Sequence, residues 1–151
     1  MEPTGSELVA RTKAGVRELR EFVAALADDD LQRVVPGGWT IGAQLAHLAF
    51  WDRWVDTRWR LFERTGAFDD LPDSIGDLVN ETAEPLWLVM PGALARELAL
   101  GSAERVSRTI EALDATAIDS ALMTGRPAML DRTRHWHPHL IDIRSALTPS
   151  P

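Results

Sequence analysis

Gly38-Trp-Thr-Ile-Gly-Ala-Gln-Leu-Ala-His-Leu-Ala-Phe-Trp-Asp52 opens the stretch that decides the fold. Ile41, Leu45 and Leu48 continue into Val55, Trp59 and Phe62 at three- and four-residue steps. That is the periodicity of one helix face, and it predicts a helix over residues 40–64. Asp52 falls inside the stripe between Leu48 and Val55, so it reads as a buried carboxylate paired with an arginine. His47 lies beside the stripe, at the edge of the core.

Outward from this segment the same period recurs. Val9, Val16, Leu19, Val23 and Leu26 predict a first helix over about residues 6–26, with Ser6 as its cap. Asp28-Asp29-Asp30 reads as a solvated stop, and Pro36-Gly37-Gly38 as the punctuation before the second helix. Residues 66–76 read as loop, and residues 75–84 as a short extra helix ending before Pro85. Leu94, Leu98, Val106, Ile110 and Leu113 predict a third main helix from Pro91-Gly92, and the last is predicted over residues 131–147. No alternating strand pattern of useful length appears. Four amphipathic segments, with a short helix in the long connection between the second and third, predict an all-α four-helix bundle. Residues 1–147 are expected to form one domain and residues 148–151 a flexible tail.

Composition narrows the function. The chain has 151 residues, with 16 basic and 23 acidic side chains and a net charge of −7. An acidic surface argues against nucleic acid, whose phosphates demand a surplus of Lys and Arg. No apolar run approaches the ~18 residues of a membrane span. A cytoplasmic protein acting on a small molecule is the expectation. The absence of cysteine excludes disulfides, thiolate-ligated metals and a cysteine nucleophile.

Three of the four histidines stand together in Arg134-His-Trp-His-Pro-His-Leu140. On a helix His135 and His139 share a face, whereas His137 points elsewhere. With His47 from the second helix they make three neutral imidazoles, which leave a divalent ion an open position for water or substrate. Pro138 admits two readings: a kinked helix carrying both ligands, or a helix starting near Pro138 with His135 in the lead-in. Trp51 and Trp54 follow His47 by four and seven residues; they read as core packing or as the wall of an apolar pocket. Asp52 lies roughly 140° around the helix from His47, which suits a carboxylate behind an imidazole better than a co-ligand.

The segment Gly38–Asp52 and the segment Asp131-Arg-Thr-Arg-His-Trp-His-Pro-His-Leu-Ile-Asp-Ile143 resemble the second and closing helices of the DinB-like superfamily. That superfamily includes mycothiol-dependent maleylpyruvate isomerases and related thiol-dependent S-transferases. The resemblance implies a four-helix bundle holding zinc or nickel through His47, His135 and His139. His137 has no counterpart. It also implies a low-molecular-weight thiol as cosubstrate, and dimerisation is common among such relatives, so a homodimer is a further expectation. Two functions follow: a metal-dependent transferase or isomerase using that thiol on a small electrophile, or a non-catalytic metal- or ligand-binding bundle serving stability or sensing.

Overall fold

The longest helix, α2 (Ile41–Thr65), grows directly from the periodic stretch around His47. Thr40 caps it by accepting from the Ala43 amide at 3.1 Å, and Gly66 at φ +72° ends it in the left-handed conformation that glycine adopts freely. In a computed structural model, residues 1–72 and 74–148 are described. Their helices are α1 (Gly5–Ala24), α2, α3 (Ile75–Val89), α4 (Gly92–Glu111), α5 (Ala115–Met123) and α6 (Thr133–Leu147). No strand occurs among the described residues, and short 3₁₀ turns follow α1 and precede α6. No helix among the described residues is long and apolar enough to cross a membrane.

Helix α2 packs on α4, α4 on α1, α1 on α6 and α6 back on α2, closing the ring of a four-helix bundle. Helix α3 lies mainly against α2, and α5 leans on α1. Residues 41–49 of α2 are buried without interruption, including both polar members, Gln44 and His47.

Four expectations are corrected in detail. The cap of α1 is Thr4 rather than Ser6, through a reciprocal bond with Glu7. Helix α3 runs through Pro85 to Val89, because Pro85 is exposed and the carbonyl it frees at Glu81 sits on the watered side, while buried Trp87 anchors the last turn. Helix α4 turns Ala95, Ala99 and Ala103 inward and leaves Leu94 43% exposed, since small residues let α2 approach closely. Helix α5 has no counterpart in the predicted elements, and of the expected tail at 148–151 all but Thr148 lies outside the described residues.

Candidate metal centre

Helix α6 begins at Thr133, so His135 stands in its first turn and His139 one turn on. The reading of Pro138 as the helix start is therefore corrected. Pro138 lies inside the helix on an exposed face, as does Arg134, whose carbonyl it leaves without a backbone donor. The start of α6 is fixed from α1. The buried Thr12 hydroxyl donates to the Leu130 carbonyl at 2.7 Å and accepts from the Arg132 amide at 2.8 Å. Gly15 lets the helices touch, because a Cβ there would collide with the Thr133 methyl.

This seam brings His47 of α2 against both α6 histidines. Ring nitrogens of His47, His135 and His139 all lie within 4.8 Å of one another. The closest pair is His47 Nε2 and His135 Nε2, at 3.0 Å. Burial drives the pKa of His47 down to about 3, with His139 and Arg132 adding repulsion. Burial, then Arg132, then the neighbouring imidazoles take His135 to about 2. Burial also lowers His139, against the opposing pull of Asp142. All three are neutral at neutral pH, so each ring has one nitrogen lone pair.

The donor set fits a divalent ion. A tetrahedral ion about 2.0–2.1 Å from each nitrogen separates its ligands by roughly 3.3–3.4 Å, a value between the 3.0 Å of the closest pair and the 4.8 Å within which all three lie. Two buried ring nitrogens, Nδ1 of His47 and Nδ1 of His139, have no hydrogen-bond partner among the described residues. Neutral imidazoles suit zinc, copper, iron and nickel.

Behind the histidines sits a second polar cluster. The fully buried Asp52 carboxylate accepts from Arg132 Nε at 2.9 Å and from the Trp136 indole at 2.8 Å. Burial pushes the Asp52 pKa up, while Arg132 and Trp136 pull it down. Every group facing the carboxylate is an N–H donor, which favours the ionised form. Arg132 reaches onward, placing Nη2 3.2 Å from His135 Nδ1. Asp52 thus touches the histidine only through a guanidinium. Since a guanidinium can only donate, His135 Nδ1 accepts here and its Nε2 carries the ring proton toward His47; ligation of an ion through Nε2 requires the other tautomer, with Nδ1 as the donor and this contact to Arg132 given up.

A hollow of about 570 Å³ opens over the histidines, walled by Trp39, Trp51, Asn80, Arg132 and Arg134. Trp51 is therefore at the rim, its indole donating to Asn80 Oδ1 at 2.9 Å. Trp54 is not, lining two neighbouring depressions instead. His137 is half exposed beside Glu18 at 3.5 Å, away from the cluster. Sequence reasoning named neither Trp87, whose ring centre lies 4.8 Å from that of His47, nor Arg132 as the partner of Asp52. The signals were present: Ala83 and Trp87 form an i, i+4 apolar pair, and Arg132 precedes His135 by one helical turn.

No curated protein and no solved structure matches the chain. A family model does, the mycothiol maleylpyruvate isomerase N-terminal domain, over residues 12–144. That span holds α2, most of α6 and the whole histidine cluster, and the chain belongs to this family of the DinB-like superfamily.

Proposed function

We propose that the chain is a divalent-metal-dependent transferase or isomerase that uses a low-molecular-weight thiol on a small electrophile, with zinc or nickel held by His47, His135 and His139. The observation that carries this reading is the convergence of three neutral histidines from two helices beneath an open hollow. A bound ion would stabilise a thiolate at neutral pH and hold the sulfur next to an electrophile. The chain has no cysteine, so that sulfur must arrive with a cosubstrate.

The chain's own residues define the rest. Burial keeps the imidazoles unprotonated, so no proton competes for their lone pairs at neutral pH. Trp39, Trp51 and Trp87 surround His47 and exclude water from one side of the site. Arg132 is held by Asp52 and by the Ala128 carbonyl at 3.3 Å, which fixes a positive charge beside the reacting atoms. That charge favours an anionic sulfur or an anionic substrate group over neutral ones.

A screen of small thiols against electrophiles, run on metal-loaded protein, tests the proposal. Thiol-stimulated turnover is expected in the wild type and is expected to vanish in His47→Ala with the fold retained. Normal turnover in His47→Ala rejects the metal mechanism. Metal binding without turnover favours the non-catalytic bundle.

A further inference from the structure

The hollow over the histidines continues past Trp51 into a second one of about 440 Å³, between α2 and the chain leading into α6. Trp51, Ala128, Arg132 and Arg134 border both. Four arginines line the second hollow, Arg58, Arg126, Arg132 and Arg134, and no carboxylate does among the described residues. This occurs in a chain with 23 acidic and 16 basic side chains.

Two of the four charges are matched from behind. Arg58 holds Asp69 through two bonds, of 3.1 and 2.8 Å, and Arg132 holds Asp52. The other two are not matched in this way. Among the described residues Arg134 has only Asp131, at 3.9 Å, which also faces Arg11 at 3.6 Å. Arg126 gives one N–H to the Asp69 carbonyl at 3.2 Å and rests 5.3 Å over the Phe68 ring. It meets no carboxylate among the described residues. A guanidinium carries five donors in a planar fork, so most of the Arg126 donors are unengaged. The facing walls are apolar, built from Trp54, Leu71 and Ile75 beside Trp51.

We propose that this groove binds an organic anion, with its carboxylate held by Arg126 and Arg134 and its apolar body laid along Trp51 and Trp54 toward the histidines. The volume suits a small-molecule site, and apolar walls with a few convergent charges are the usual make-up of one. A bare phosphate would satisfy the guanidinium groups and leave the indole walls in water. The chemistry at the histidine end rests on the thiol-transfer reading, whereas the anion contact needs no metal.

The test is calorimetric titration of 1-naphthylacetate into the chelator-treated full chain. The neutral 2-(1-naphthyl)ethanol and inorganic phosphate serve as the discriminating ligands. The acid is expected to bind at least about tenfold tighter than the alcohol, as charge-assisted bonds to arginine imply. Arg126→Gln/Arg134→Gln is expected to erase that preference and leave alcohol binding unchanged. Arg134→Gln alone, at a half-exposed side chain, carries the same comparison if the double variant does not fold. Equal binding of acid and alcohol, or unchanged acid binding in the variant, overturns the proposal. Competition by phosphate at equal concentration overturns the apolar half of it. Binding that persists where metal-dependent turnover fails removes the thiol-transfer reading alone.

Discussion

Two polar clusters lie side by side in the bundle and are built on opposite terms. In Asp52, Arg132 and Trp136 the carboxylate meets a guanidinium and an indole, and the guanidinium goes on to a carbonyl and an imidazole. In His47, His135 and His139, two buried ring nitrogens meet nothing, and the third ring is approached by a donor. The first cluster fixes the geometry of α2 against α6. The second is left with unsatisfied ring nitrogens under a hollow. An unsatisfied buried polar group costs about 1–3 kcal/mol.

Breaking the satisfied cluster should therefore cost the most. Asp52→Ala leaves Arg132 buried without its carboxylate and is expected to destabilise the fold by about 3–5 kcal/mol, read from urea unfolding midpoints. A loss under 1 kcal/mol would mean that water reaches Arg132 and that the two clusters differ less than the geometry implies.

Acid should act on the other cluster. Burial holds His47 at about 3 and His135 at about 2 in the folded chain, against about 6.5 when unfolded. The unfolded chain then binds more protons as pH falls. In the metal-free protein the histidine contribution is intact above pH 6.5. It falls by up to about 1.4 kcal/mol per pH unit for each histidine from there down to about pH 3. Stability measured from pH 7 to pH 4 should decline, and the slope should be shallower in His135→Gln. A slope unchanged by that substitution would show that His135 titrates as if solvated. The smallest effect belongs to His137→Ala. It removes a half-exposed ring at the edge of Glu18, and both stability (within about 0.5 kcal/mol) and bound metal should stay as in the wild type.

The contrast also explains what was legible in the sequence. Helices α1, α2, α4 and α6 announce themselves through large apolar residues at helical spacing, and the three ligand candidates through histidines on two of them. Helix α5 hides because its buried residues, Ala117 and Ala121, are too small to mark a stripe. The inward face of α4 was offset for the same reason, its alanines being overshadowed by Leu94 and Leu98. Pro85 reads as a break and Pro138 as a kink or a helix start, yet each sits inside a helix on an exposed face where a freed carbonyl is tolerated. Asp52 could be read as paired, but the identity of its arginine depends on how α6 is pinned by Thr12 across the bundle. Contacts between residues 80 positions apart leave no local pattern. The arginine-lined groove was invisible for that reason too, its charges coming from α2, α6 and the loop before α6.

The most direct measurement is metal content by elemental analysis, after loading with zinc or nickel and gel filtration, of wild type beside His139→Ala. One equivalent in the wild type and none in the variant, with both folded, is the predicted result. A wild type that retains no ion, or a His139→Ala variant that retains as much, would contradict a metal centre built on His47, His135 and His139.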